Sequence, residues 1–444
     1  MKLAVVGAGL GGLTSARALV AAGHDVHVFD AAPRVGGVLG TTRVDGFVRE
    51  HAASSFLGGP ADGAYAVCEA LGVPLEKASP KAKNRWIYLD GKLRALPRSP
   101  IDLVRSDLLT WRGKLDLLRE PLRPARPEAG DESMYAFASR RLGAEAARAI
   151  VAPFVTGVYA ADAHEVSLEA GFPRIAALDA AGGLVRGMVK NMARGMAGRL
   201  RGHREVKTPR GMYAPVGGLG AMVDVLGASL GDRVHVRRVA RVEPTTGGVT
   251  VDGERWDGCV LAIPAQDAGA IVATPELSAR LAAFHRAAMA LVYLGYDAAS
   301  VPGASDGFGF LAAHGEDIRV LGVVFESVVW PDRAPDGKVL LRCIFGGGRD
   351  PDAMAMSDTE LIEQARRDVG RVLGATGAPS HTSVIRWERG VAQYRLGHRE
   401  RVREATTVAR SRRIALAGAD YRGPGVNDIC ADAATIVADV AGWR

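Results

Sequence analysis

The chain has 444 residues, 48% hydrophobic, 24% charged and 6% aromatic, with a formal net charge of +7. That length and apolar content suit two or three domains with real cores and argue against a disordered chain. The positive balance favours an anionic partner such as phospholipid or a carboxylate-bearing substrate. Sparse aromatics and no familiar binding motif argue against nucleic acid. The first predicted elements are a strand at Ala4–Val6, a turn Gly7-Ala8-Gly9-Leu10-Gly11-Gly12, a helix carrying Leu13, Ala16 and Leu19, and a strand Val26–Phe29 ending on Asp30. Gly7 allows a tight turn, Gly9 lets the backbone approach a pyrophosphate, and Gly12 lets helix and strand pack closely. The helix start offers unpaired N–H groups. Asp30, beside Ala31, is placed to accept from a ribose. The fingerprint serves NAD and FAD equally. Arg34-Val35-Gly36-Gly37-Val38 then sets a cation and bare backbone beside the same pyrophosphate, a second clamp suited to an extended, tightly held FAD. No second Gly-x-Gly-x-x-Gly opens a helix elsewhere, so one FAD and no nicotinamide site is expected.

Further along, the nucleotide unit looks discontinuous: residues 1–58, 211–264 and 411–444. A substrate-binding unit takes 80–97 and 265–405, with strands at Met289–Tyr296, Arg319–Phe325 and Val339–Phe345. Residues 98–205 read as a helical unit. Within it Leu184, Met188, Met192, Met196 and Leu200 repeat every four residues, opposite a basic stripe of Arg186, Lys190 and Arg194. Core packing with a solvated basic face is the preferred reading; a helix lying in an anionic membrane surface is the other. Cys68, Cys259, Cys343 and Cys430 are far apart and form no Cys-x-x-Cys, which argues against a metal site or a disulfide scaffold and suits a reducing cytoplasm. Met1 runs directly into the first strand, so no signal peptide is expected. No apolar run is long enough to span a bilayer. The expected location is cytoplasmic, at most peripheral on the inner membrane, as a monomer or homodimer.

Several segments taken in order resemble the FAD-dependent protoporphyrinogen oxidases and related bacterial coproporphyrinogen oxidases of the monoamine-oxidase-like flavoproteins. They are Gly7–Gly12 with Gly36-Gly37, Lys83–Tyr88, Thr156–Asp162 with Leu168 and Phe172-Pro173, Asp306–Leu311, Leu321–Phe325, Gln393-Tyr394-x-x-Gly397-His398, and Ala417–Asp428. The resemblance implies an α/β fold: a discontinuous Rossmann-like FAD domain, a mixed-sheet substrate domain and a helical membrane-associating cap, like monoamine oxidase and p-hydroxybenzoate hydroxylase. It implies oxidation of protoporphyrinogen IX to protoporphyrin IX in haem biosynthesis, six electrons in three rounds, with dioxygen as acceptor and hydrogen peroxide as product. Arg85 would pair with a substrate propionate. Phe308 and Leu311 would clamp the macrocycle, Gly309 leaving it room, with Gly157 close to substrate and Ile344 lining the pocket. Ala53, Ser54, Ser55, Val239, Trp387, Ala419, Pro424, Gly425 and Val426 would contact the cofactor. No residue is marked as a catalytic base and no metal is expected.

Two departures stand out. Glu50-His51-Ala52-Ala53-Ser54-Ser55 replaces the family's usual Gly-Pro after the acid, and Asp30 stands where Glu is usual. The rivals are coproporphyrinogen III as substrate, whose four propionates call for more cations at the mouth; a flavin amine oxidase, which would need an aromatic cage and offers only Tyr421; and a non-catalytic flavin-binding partner protein.

Overall fold

The computed structural model describes residues 1–59, 63–124, 130–200 and 209–443, without the side chains of residues 100 and 195–200. Its centre is a parallel sheet of five strands, in the order Val234–Val236, Asp25–Asp30, Lys2–Val6, Gly258–Leu261 and Ile414–Leu416. Side chains alternate across a strand, so Leu3 and Val5 enter one core while Ala4 and Val6 enter another. The first core is closed by the helices Leu10–Ala21, Leu219–Leu230 and Val426–Ala441. The second is closed by the antiparallel sheet Val242–Thr245, Gly248–Val251, Glu254–Trp256 and by Phe284. Burial on both faces explains the unbroken apolar runs of these short strands. The sheet draws its strands from three distant parts of the chain. Gly248–Val251, read from the sequence with the nucleotide unit, belongs to the separate antiparallel layer.

A second sheet of seven strands runs His381–Ala392, Arg286–Asp297, Lys338–Gly346, Gly322–Phe325, Gly309–Ala312, Trp86–Leu89 and Lys92–Ala95. Its pairing is antiparallel except between Gly309–Ala312 and Trp86–Leu89. One strand starts at Gly322 rather than Arg319. Arg319 and Val320 instead donate backbone N–H groups to Asp368 Oδ2, both at 3.0 Å, which ties the loop to the helix Asp358–Leu373. That helix covers the sheet's outer face. Its start is a capping box of Ser357 and Glu360.

The helical unit holds short helices between residues 100 and 180 and a longer one at Leu184–Leu200. Glu120 accepts the first N–H groups of the long helix, from Leu184 at 2.7 Å and Val185 at 3.2 Å. Core packing of its apolar stripe is not what the structure shows: Met188 is 50% exposed and Met192 69%. The neighbouring helix meets it at Gly187 instead, where a Cβ would strike the Leu178 backbone. The side chains of Met196 and Leu200, and residues 201–205, lie outside the described residues. No helix among the described residues is long and apolar enough to cross a membrane.

Candidate active site

The first glycine motif behaves as its chemistry requires. Gly7 has φ +106° and a Cβ there would meet Ala262 O at 2.6 Å; a Cβ on Gly12 would overlap Gly7 O. Gly9 is different. A Cβ there would meet only Gly37 Cα, at 4.0 Å, so the space beside Gly9 is left for something outside the chain. Gly36 N–H donates to Ala8 O at 2.7 Å, joining the two glycine segments edge to edge. The helices starting at Leu10 and Val426 both lack a side-chain cap on their first N–H groups. They converge, because a Cβ on Gly11 would lie 3.5 Å from Ile429 Cγ2 of the last helix and 3.1 Å from Gly418 Cα of the loop before it. Two uncapped helix starts around a bare backbone groove form an anion cradle.

Asp30 accepts from Ala8 N at 2.6 Å and Ala32 N at 2.8 Å, which fixes the carboxylate beside the cradle while leaving lone pairs for hydroxyls. Ala31 and Val38 flank this groove, both outside the core. Arg34 has local partners. Its guanidinium donates to Val35 O, Leu39 O and Gly37 O at 2.9, 2.6 and 2.6 Å, so it ties its own loop shut while keeping its charge beside the groove. Val239 is buried with Phe29, Trp256 and Val242 at the sheet's edge.

On the far side of the cradle, the segment after Glu50 is held from below. Trp387 Nε1 donates to His51 O at 2.7 Å, Arg342 donates to Ala52 O at 2.5 Å and to Ser54 Oγ at 3.1 Å, and Tyr293 donates to Glu50 O at 2.6 Å. Arg342 is itself buried and paired with buried Glu326 at 2.8 Å. Ser55 is half-buried and Ala53 packs against the nucleotide core. This segment, which lacks the Gly-Pro, is held by a buried guanidinium from the strand Lys338–Gly346. Glu50 reaches back to the helix Leu219–Leu230, accepting Leu219 N–H at 3.0 Å, with the Thr41 hydroxyl at 2.7 Å and Arg333 at 3.7 Å. Burial pushes its pKa up to about 7, against the pull of Thr41 and Arg333.

The carboxy-terminal loop is braced as firmly. Asp420 accepts Ala265 N–H and Arg286 Nε, both at 2.9 Å. Tyr394 OH donates to Ala419 O at 2.8 Å and accepts Gly423 N–H at 2.7 Å, while its ring stacks on His398. Gly425 is the N-cap of the last helix, following Pro424, and Val426 enters the nucleotide core. Tyr421 points away from the cradle. It is buried edge-on against Phe284 and supplies no cage.

The substrate candidates meet on the seven-stranded sheet. A Cβ on Gly157 would strike the Leu311 side chain at 2.7 Å, so the helix Ala152–Tyr159 lies directly on the strand Gly309–Ala312. Ile344 packs against three buried groups at once: Val324 with Val329 and Trp330, where Phe308 also packs, Leu291 with Tyr293, and Ala160 with Met289 and Leu321. Gly309 has a packing requirement of its own. Its φ is +141° and a Cβ would overlap Val323 O of the paired strand, so sheet pairing demands the glycine. Gly157 likewise serves helix-to-strand approach. Arg85 is exposed and lies over the Phe308 ring at 5.2 Å. The sequence did not mark Arg342, Glu326 or Tyr394 as site residues; Arg342 reaches Ala52 across 290 positions, and Glu326 and Tyr394 act by bracing a backbone that the fold alone brings to them.

The sequence profile of the flavin containing amine oxidoreductases matches residues 10–441. The chain belongs to this family. It is 26% identical to "Coproporphyrinogen III oxidase" of Bacillus subtilis (strain 168), over 92% of this chain and 89% of that protein. It is 28% identical to "Protoporphyrinogen oxidase, chloroplastic" of Nicotiana tabacum, over 89% of this chain and 76% of that one. The crystal structure of "Putative protoporphyrinogen oxidase from Exiguobacterium sp. 255-15" superimposes with a TM-score of 0.83 at 23% identity, covering 100% of this chain and 99% of the other. As a flavin oxidoreductase, this chain is an enzyme and takes FAD. The cradle fits that cofactor. The open space at Gly9 and Gly418 and the two uncapped helix starts suit a pyrophosphate, and Asp30 suits a ribose. Among the described residues no cluster of His, Cys, Asp or Glu could hold a metal ion.

Proposed function

We propose that this flavoenzyme oxidises a porphyrinogen to the porphyrin, passing the electrons to dioxygen. The observation carrying the reading is the convergence of Phe308, Leu311, Gly157 and Ile344 on one apolar wall with the Arg85 guanidinium at its end. A porphyrinogen is a large apolar macrocycle with carboxylates at its rim, and it needs such a wall and such a cation. Bound FAD supplies the two-electron acceptor. The chain's own part is to orient and to keep water out. Phe308 and Ile344 offer the macrocycle apolar surface, Arg85 fixes its rim, and Arg342 with Trp387 holds the segment His51–Ser54 in place. Both "Protoporphyrinogen oxidase" and "Coproporphyrinogen III oxidase" relatives support the class, and the expected protoporphyrinogen IX is one member of it.

The test is anaerobic mixing of the purified yellow protein with a porphyrinogen. Bleaching of the flavin with growth of porphyrin fluorescence is expected. Bleaching by simple amines without bleaching by porphyrinogens would replace this reading with amine oxidation.

The helical unit supports a peripheral membrane location for the same enzyme. Val185, Met188, Val189 and Met192 are exposed on the long helix, with Leu118 and Leu122 exposed beside its first turn and Arg186, Lys190 and Arg194 around it. An exposed apolar ridge on a helix with a basic opposite face suits an anionic bilayer surface. Sedimentation with anionic vesicles should weaken as salt rises, and its absence at low salt would remove the location.

A further inference from the structure

A cleft of about 490 Å³ opens at the edge of the seven-stranded sheet, between Asn84–Trp86 and the stretch from Ala95 to Asp107. Its charges are unevenly spent. Asp306 accepts from Asn84 Nδ2 at 2.6 Å, Asp107 pairs with Arg94 at 3.2 Å, and Asp102 accepts the backbone N–H of Arg98 at 3.3 Å. Each acid is therefore engaged locally. The cleft's three guanidiniums are not. Arg98 donates only to the Asn84 amide oxygen, at 2.9 Å, and Arg85 rests on the Phe308 ring. Arg105 stands at the rim, and none of the three has a carboxylate within ion-pair distance among the described residues. All three are exposed.

A guanidinium is a planar fork shaped for a carboxylate, and three of them around one opening outnumber what a single propionate can use. Phe308 joins this cleft to the apolar wall, because it lies under Arg85 and packs against the buried cluster of Val324, Val329 and Trp330 that Ile344 also packs against. A macrocycle lying on the wall would bring its rim substituents to Arg98 and Arg105. A vinyl group there would offer those cations nothing, whereas a propionate would pair with them. We propose that Arg98 and Arg105 are carboxylate subsites beside Arg85, and that the enzyme prefers the tetracarboxylate coproporphyrinogen III over the dicarboxylate protoporphyrinogen IX. This rests on the porphyrinogen reading above.

The experiment uses the FAD-loaded full chain and four forms: wild type, Arg98→Gln, Arg105→Gln and Arg98→Lys. Two things are measured: kcat/KM for both porphyrinogens, and fluorescence-detected binding of coproporphyrin III and protoporphyrin IX at several salt concentrations. Wild type should favour the tetracarboxylate. Each Gln variant should lower its kcat/KM about five- to tenfold through KM, leave the dicarboxylate within about twofold, and flatten the salt dependence of coproporphyrin binding. Arg98→Lys should recover part of the loss. Two results would overturn the subsites while leaving the proposed function standing: equal effects on both substrates, or turnover of both with no effect of the variants. If wild type oxidises neither porphyrinogen, the proposed function itself fails.

Discussion

The cofactor cradle and the substrate wall are built on opposite principles. The cradle is backbone: Gly7, Gly9, Gly12, Gly36 and Gly37 matter for the Cβ they lack, and strand pairing fixes their positions. The wall is side chains: Phe308, Leu311 and Ile344 matter for the surface they offer, and they come from strands whose order in the sheet does not follow the chain. A groove made of backbone has almost no tolerance, so its residues are forced. A wall made of apolar side chains accepts many substitutions of similar volume. Between the two lies a layer of buried ion pairs, Arg342 with Glu326 and Arg333 with Glu50, which fixes how high the segment after Glu50 stands over the wall.

That middle layer should give the largest effects. Arg342→Met removes the partner of buried Glu326 and two donors to Ala52 and Ser54, and should cost about 3–5 kcal/mol in urea unfolding. A loss under about 1 kcal/mol would mean the layer is not what sets the two halves together. Within the cradle, Gly12→Ala should cost at least about 3 kcal/mol, because its Cβ overlaps Gly7 O and helix and strand must separate. Gly9→Ala is the contrast. Its Cβ enters open space, so stability should stay within about 1 kcal/mol while flavin content collapses. Equal unfolding midpoints for these two variants would contradict the division between packing glycine and ligand glycine.

Glu50 provides a pH test of the same layer. Its carboxyl is raised from 4.5 to about 7 by burial. Below about pH 4.5 both folded and unfolded chains hold the proton, and it contributes nothing. From there to about pH 7 the folded chain keeps a proton that the unfolded chain has released. Stability should therefore fall by up to about 3 kcal/mol across that window and level off above it. Glu50→Gln should flatten this slope in urea midpoints taken across the pH range. The smallest effect belongs to the wall's end. Arg85→Ala should raise KM about tenfold with flavin content unchanged, since it contacts Phe308 and no cradle residue. Loss of flavin in that variant would move Arg85 from substrate to cofactor.

Much of the cradle was readable because its requirements are local. A strand, a tight turn and a helix start within twelve residues must each satisfy their own geometry, and Gly7, Gly9 and Gly12 state it directly. Arg34 and Gly309 have local partners that the sequence did not show. Both stand in motifs next to a ligand site, yet one guanidinium turned back on its own loop and one missing Cβ served the neighbouring strand. The methionine stripe at Leu184–Leu200 was periodic enough to fix the helix and its two faces, but periodicity does not say which face finds a partner.

The sequence by itself determined the nucleotide-binding unit, its cofactor class and the helical character of the middle third, because short-range sterics and periodicity carry that information. Only the tertiary structure decided that Arg342 supports Ala52 and Ser54, that Tyr394 braces the last loop, that Met188 and Met192 stay in the open, and that three guanidiniums share one cleft. Each depends on which surfaces the fold brings together, and that settles charge pairing and burial whether the partners lie 25 or 290 positions apart.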